Sequence, residues 1–136
     1  MIQYIAEDVK LPDLDIQKLN RWIKETALGY GKRTGKIAYI FCSDKRILEV
    51  NKKYLQHEYY TDIITFDYSE GIIISGDIFI STETVLSNAV EFKVSFDEEL
   101  KRILIHGILH LCGQDDKSPE NRMEMTRKEN MALEMY

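Results

Sequence analysis

Cysteine is scarce in this sequence, which has only Cys42 and Cys112 among its 136 residues. Two cysteines so far apart do not form the framework of a disulfide-rich secreted domain. The N-terminal stretch MIQYIAEDVK also lacks the basic-then-apolar pattern of a secretory signal peptide. We therefore expect two reduced thiols in a cytoplasmic protein.

Long apolar runs and an excess of positive charge are absent as well. No apolar run approaches the roughly 18 residues of a membrane-spanning helix, so we expect no membrane partner. The net charge of −5 counts against a general polyanion binder but still allows a local basic groove. With 44% hydrophobic and 30% charged residues, the composition is that of an ordinary globular protein. We predict one domain spanning residues 1–136.

The hydrophobic periodicity predicts the element order β-α-β-α-β-β-α-α-α. Strands are predicted over residues 2–5, 36–42, 61–68 and 72–80. Helices are predicted after the caps Asp13 or Asp15, Ser43, Ser95 and Ser118, and over residues 82–92. Because the strands gather early and the helices close the chain, we predict an α+β fold. Its core would be a mixed sheet of about four strands with helices packed on it.

The stretch HGILHLCGQDD, residues 106–116, carries the most specific chemical signal. His106 and His110 are four residues apart, so on a helix their imidazoles share one face and can bind one metal ion. Gly113 permits the left-handed backbone that ends many helices, and the reversal can bring Asp116 back as a third ligand. Three protein ligands leave a fourth position open for water, which is the arrangement of a catalytic zinc site.

A pair of histidines at this spacing also occurs by chance, either on a surface or in a core. The glycine and the carboxylate at the right offsets favour the metal site. The surrounding segment Leu100–Leu111 is apolar nearly all round, which predicts a buried helix whose histidines need polar partners. Asp115 is an alternative third ligand if the turn differs. Cys112 should point away from the site and fill the core.

His106, His110, Gly113 and Asp116 have the spacing of the metal-binding motif in metzincin proteases, but one catalytic residue of those enzymes is missing. Those enzymes carry a glutamate directly after the first histidine as the general base. Gly107 occupies that position here and cannot take a proton. The pattern therefore indicates a metal-dependent hydrolase that is not a peptidase.

These residues resemble the signature of the YbeY family of endoribonucleases, His-Gly-x-Leu-His-Leu-x-Gly-Tyr-Asp-His. Three further segments are similar to family segments in the same order: Val50–Tyr54 (VNKKY), Thr61–Phe66 (TDIITF) and Gly76–Ser81 (GDIFIS). The resemblance implies a zincin-like fold, one zinc ion per chain and cleavage of single-stranded RNA. It also implies a role in 16S ribosomal RNA maturation and ribosome quality control, with ribosomal particles as partners.

The resemblance matches His106 and His110 to the first two metal ligands, whereas Asp116 stands where the family has a third histidine. A carboxylate oxygen can still bind zinc, and as a harder donor it can admit other divalent ions. Leu55 stands in place of an arginine that is thought to stabilise charge on the phosphate. His57 or a nearby lysine is a candidate to replace this arginine. The simpler interpretation of His57 is a histidine in an exposed loop with no catalytic role.

Two aspartates are candidates for catalytic roles because the resemblance places their strands near the cleft. Asp62 and Asp77 would orient a metal ligand or transfer a proton. An equal alternative is that both are ordinary aspartates at a strand end or in a turn, with no catalytic role. Single-stranded RNA could stack on Tyr59, Tyr60 or Tyr68. Two other functions stay open: a non-catalytic ribosome-assembly factor with a structural metal, and a zinc peptidase, which Gly107 disfavours.

Overall fold

The computed structural model describes residues 1–55 and 61–136, and over this part of the chain the elements follow the predicted order. The strands are β1 (Ile2–Ala6), β2 (Arg33–Cys42), β3 (Ile63–Asp67) and β4 (Ile73–Ser81). The helices are α1 (Ile16–Gly29), α2 (Asp44–Val50), α3 (Thr82–Phe92), α4 (Phe96–Leu111) and α5 (Pro119–Met135). A π-helical turn, Asn51–Leu55, follows α2 directly. The predicted α+β class is confirmed.

The four strands form one mixed sheet in the order β1-β2-β4-β3. β1, β2 and β4 run parallel, whereas β3 pairs antiparallel with β4. Parallel neighbours need a crossover connection, which α1 supplies between β1 and β2. The short connection from β3 to β4 instead allows an antiparallel hairpin, which leaves β3 at the edge of the sheet.

Side-chain caps explain where the helices begin. Asp15, Ser43, Ser95 and Ser118 each accept a hydrogen bond from the backbone N–H three residues later. The three serines were predicted as caps, and of the two candidates Asp13 and Asp15 the structure uses Asp15. Each such cap stabilises its helix by about 1 kcal/mol. The cap at Ser95 matters most for the site, because it sets the start of the helix that carries both histidines.

The sheet is covered on both faces. One core cluster joins the sheet to α1, α4 and α5, and its members include Trp22, Tyr39, Ile78 and Leu104. The Tyr39 hydroxyl donates a 2.7 Å hydrogen bond to the Leu104 carbonyl and so ties α4 to β2. A second cluster on the opposite face packs α2 against the sheet.

The differences from the predicted elements are confined to their ends. β2 begins at Arg33 rather than at residue 36, because Arg33 and Thr34 still pair with β4 before a register shift. Both cysteines are free thiols. Burial raises the pKa of Cys42 to about 12 and that of Cys112 to about 11. Among the described residues, no helix combines the length and the apolar content needed to cross a membrane.

Candidate metal centre

The two histidines of α4 lie on one face of the helix, with ring centroids 4.5 Å apart and ring planes nearly perpendicular. α4 approaches the sheet closely at Gly107, where an added Cβ would lie 3.0 Å from the Ile78 side chain and 3.3 Å from that of Ile63. A side chain at the position after His106 would therefore press on two isoleucines in an apolar contact. That setting is unfavourable for the charged glutamate that a peptidase would need there.

The turn after α4 returns a carboxylate to these histidines. Gly113 takes a left-handed φ of 103°, and backbone hydrogen bonds from Gly113 and Gln114 close the turn on the last carbonyls of α4. As a result, one Asp116 oxygen lies 3.4 Å from His106 Nε2 and 3.6 Å from His110 Nε2. Two ligands of a tetrahedral zinc ion with bonds near 2.1 Å lie about 3.4 Å apart. These three residues can therefore hold a metal ion.

Hydrogen bonds on the far side of each ring fix which nitrogen faces Asp116. His110 Nδ1 lies 2.9 Å from the Gln114 carbonyl oxygen, and His106 Nδ1 lies 2.6 Å from a Glu129 carboxylate oxygen. Both oxygens are acceptors, so both Nδ1 atoms must donate. The Nε2 lone pairs are then free for a metal, as ligand histidines require.

The surroundings shift the pKa values of the two rings in opposite directions. Burial alone would lower the pKa of His106, but its hydrogen bond to Glu129 and the charges of Glu129, Asp116 and Asp62 raise it. Burial and the neighbouring His106 lower the pKa of His110. His110 is therefore mostly neutral at pH 7 and ready to bind a metal, whereas His106 holds its second proton more tightly until a metal replaces it.

Asp62 lies just before β3 and close enough to His106 for their charges to interact. Its carboxylate accepts long hydrogen bonds from the Thr61 hydroxyl at 3.5 Å and the Asn88 amide at 3.4 Å. Burial raises the pKa of Asp62, although His106 partly opposes that shift. The structure thus brings this predicted residue to the site, where it holds a proton more tightly than an ordinary aspartate does.

Asp77 does not meet the histidines. Ile74, Ile78 and Ile80 of β4 are buried, and Ile78 faces α4, so the alternation of a strand turns Asp77 to the opposite face of the sheet. There it lines a separate small cavity with Met1, Gln3 and Lys36. The expectation that Asp77 lies near the cleft is therefore corrected: its strand reaches the site, but its side chain points away.

A cleft of about 430 Å³ opens beside the metal centre, along β3 at the sheet edge. The described residues that line it are Asn51, Leu55, Thr61, Ile63, Ile64, Thr65, Asp67, His110, Asp116 and Lys117. Lys117 is the one cation in that described lining. The buried Thr65 hydroxyl finds no hydrogen-bond partner among the described residues. The cleft thus combines a positive charge with two of the three residues that could hold a metal ion.

The remaining residues predicted for the site are not among the three whose ligand atoms lie together. Asp115 is exposed, and its carboxylate accepts a 2.7 Å hydrogen bond from the Lys117 backbone N–H, away from the three ligand atoms. Tyr68 is exposed beside Asp77, whose carboxylate contributes with desolvation to raising the pKa of Tyr68. His57, Tyr59 and Tyr60 lie outside the described residues.

Sequence reasoning missed three residues of the site. It stated that the histidines need hydrogen-bond acceptors but named none, and Glu129 supplies one from α5. A signal was present, because Met125, Glu129 and Ala132 share one buried helix face on which a glutamate is out of place. Lys117 and Thr65 carried no such signal, since only the folded turn and the sheet edge bring them to the cleft.

Comparisons with known proteins agree with this geometry. A sequence model of the family described as Endoribonuclease YbeY matches residues 1–136. The Endoribonuclease YbeY of Phocaeicola vulgatus is 62% identical over 133 residues, covering 98% of this chain and 96% of the relative. That of Bacteroides thetaiotaomicron is 57% identical over 134 residues, covering 98% of each. The solution structure of TM1509 from Thermotoga maritima superposes with a TM-score of 0.68 at 28% identity, covering 98% of this chain and 87% of TM1509.

Proposed function

The chain belongs to the YbeY family of endoribonucleases, and we propose that it is a zinc-dependent enzyme that cleaves single-stranded RNA in the cleft beside α4. The observation that carries this proposal is the convergence of His106 Nε2, His110 Nε2 and an Asp116 oxygen at the wall of that cleft. Because His110 and Asp116 also line the cleft, an ion held by the three residues would present its open side to the substrate.

Different residues of the protein have different roles in the proposed reaction. His106, His110 and Asp116 would hold a zinc ion, which when bound would supply Lewis-acid activation of a phosphoryl oxygen or of a water nucleophile. The hydrogen bonds from both Nδ1 atoms keep the two imidazole rings oriented toward that position. We assign to Asp62 the role of holding a proton for the reaction, because its charge interacts with that of His106 and burial raises its pKa.

Lys117 would bind the RNA backbone. Lys117 follows Asp116 directly and lines the same cleft as Leu55. At the position of Leu55 the family usually has an arginine. Its ammonium can neutralise a phosphate as a point charge. Thr65 also lines the cleft, but its hydroxyl oxygen is shielded from solvent, so we assign it no contact with the RNA. Asp77 has no part in this mechanism, because it faces the other side of the sheet.

The family resemblance supports a biological role for this reaction. We propose maturation of 16S ribosomal RNA and ribosome quality control in the cytoplasm, carried out by one domain on RNA in ribosomal particles. The negative net charge fits a nuclease that meets its substrate at a local cleft rather than through a wide basic surface.

An RNA-cleavage assay tests the proposal. Wild-type protein loaded with zinc should cut a labelled single-stranded RNA, and either a chelator or His110→Ala should abolish the cleavage. Glu124→Gln is a matched control, because Glu124 forms an exposed ion pair with Arg127 on α5, away from the cleft. Cleavage by His110→Ala at the wild-type, metal-dependent rate would overturn the proposal.

A non-catalytic ribosome-assembly factor is the second candidate, and Leu55 favours it. A leucine in the cleft cannot stabilise charge on a phosphate. Co-sedimentation of the protein with ribosomal particles, combined with no RNA cleavage by the zinc-loaded wild type, would support this alternative. The zinc peptidase is not proposed, because Gly107, at the position of its general base, has no side chain to take a proton and packs on Ile78.

A further inference from the structure

Glu129 of α5 reaches the metal centre from a second helix, 23 residues after His106 in sequence. We propose that Glu129 is a positioning residue for the metal, which locks the His106 ring with its Nε2 lone pair aimed at the ion. This inference rests on the proposed metal site. It adds that the Glu129 carboxylate strengthens the affinity of that site for the metal ion.

The contact between Glu129 and His106 is short and buried. A Glu129 carboxylate oxygen lies 2.6 Å from His106 Nδ1, and the glutamate is only 7% exposed. Hydrogen bonds to an ionised group are shorter and about twice as strong as neutral ones. With Nδ1 bonded in this way, His106 can offer only Nε2 to a metal.

The second oxygen of Glu129 is also engaged, which prevents the carboxylate from rotating. Arg102 Nη1 lies 2.7 Å from that oxygen, and Arg102 Nη2 donates to the Asn130 side chain at 2.7 Å. Arg102 lies one helical turn before His106 on α4, so the two donors approach Glu129 from the same helix. The carboxylate thus has two donors for two oxygens, in an orientation set by both.

The two ligand histidines are held differently. His110 Nδ1 donates to the Gln114 carbonyl, a neutral acceptor in the turn that follows α4. His106 has a charged acceptor from another helix, which makes its imidazole the more basic donor to a metal. Loss of the Glu129 charge should therefore weaken metal binding through His106 and leave the geometry of His110 unchanged.

A purely structural role is the competing explanation, since the Arg102–Glu129 ion pair also joins α4 to α5. Glu129→Gln separates the two roles because it keeps the side-chain size but offers one acceptor oxygen to two donors. If Glu129 positions the metal ligand, the zinc dissociation constant of the folded variant should rise by about 10- to 100-fold. If the role is structural, the thermal unfolding temperature of the metal-free protein should fall while zinc affinity stays at the wild-type value.

Zinc affinity should be measured by competition with a chromophoric chelator for wild type, Glu129→Gln, His110→Ala and the control Glu124→Gln. We expect tight binding by wild type and Glu124→Gln, the predicted weakening in Glu129→Gln and the largest loss in His110→Ala. Wild-type affinity in Glu129→Gln beside lost affinity in His110→Ala would overturn the inference but leave the metal site intact. No zinc binding by wild type would overturn both.

Nitrogen-15 NMR of the imidazoles in the wild-type protein gives a readout that needs no variant to fold. In the zinc-loaded protein the His106 proton should reside on Nδ1, protected from exchange by Glu129. A zinc-loaded His106 with its proton on Nε2 would overturn the inference.

Discussion

Gly107 of α4 lies directly against Ile78 of β4. An added Cβ at Gly107 would lie 3.0 Å and 3.1 Å from two carbons of the Ile78 side chain. This close approach brings α4, the helix that carries both histidines, into contact with the sheet. It also makes the position after His106 unfavourable for an acidic residue, whose charge would be buried against isoleucine.

Gly107→Glu should therefore destabilise the protein by roughly 3 kcal/mol or more, because it forces a charged side chain into a filled apolar contact. Chemical denaturation of the metal-free protein measures the change. Gly29→Glu is the matched control, since nothing lies within 4 Å of an added Cβ at Gly29, and we expect a change within about 1 kcal/mol there. Equal stability of the two variants would contradict the packing argument.

Lys117→Gln should lower kcat/KM for RNA cleavage by about 10- to 100-fold, because a charge-assisted hydrogen bond to phosphate contributes about 1.5–3 kcal/mol. Steady-state kinetics on a short single-stranded RNA measures the effect. Lys24→Gln on the exposed side of α1 makes the same charge change away from the cleft and should leave kcat/KM near wild type. An equal effect of both variants would show that Lys117 acts only through net charge.

Leu55→Arg should raise kcat/KM for the same substrate, because Leu55 lines the cleft with Lys117 and a guanidinium there could also bind phosphate. The gain should be smaller when the ionic strength is raised, since exposed charges are screened. A rate unchanged or lowered by Leu55→Arg at low salt would show that this side of the cleft does not contact the scissile phosphate.

Asp62→Asn should change how stability depends on pH. Burial raises the pKa of Asp62 above its ordinary value of 3.8, so the folded protein binds this proton more tightly than the unfolded chain does. Folding stability therefore falls as pH rises from about 3.8 through the raised pKa. The metal-free Asp62→Asn variant should lack this fall and be at least as stable as wild type at pH 7, yet cleave RNA more slowly.

Urea denaturation across pH 3.5–8 tests this, with Asp13→Asn in the exposed segment before α1 as control. A wild-type slope retained in Asp62→Asn would assign the pH dependence to another group.

Local signals in the sequence were enough for most of the fold. The four capping side chains gave the helix starts, because a cap and its partner lie three residues apart in the chain. The ends of strands were less predictable: β2 begins at Arg33 because β4 lies beside it, and that pairing is not a local property of the segment.

The site was predictable where its parts are neighbours in sequence. His106, His110 and Asp116 fall in one helix and one turn, so spacing alone placed them together. Glu129 comes from a helix whose docking depends on the whole core. The placement of Asp77 was wrong for a different reason. Both faces of β4 carry apolar residues that pack in a core, so the sequence does not show which face α4 covers.

Zinc content of the purified protein, measured beside that of Asp116→Ala, tests the central claim most directly. Asp116 is the residue in which this chain departs from the family's ligand set, and its oxygen lies 3.4 Å and 3.6 Å from the two imidazole nitrogens. We expect about one zinc ion per wild-type chain, and a loss or marked weakening of binding in Asp116→Ala. A wild-type protein that binds no zinc even after reconstitution would contradict the account.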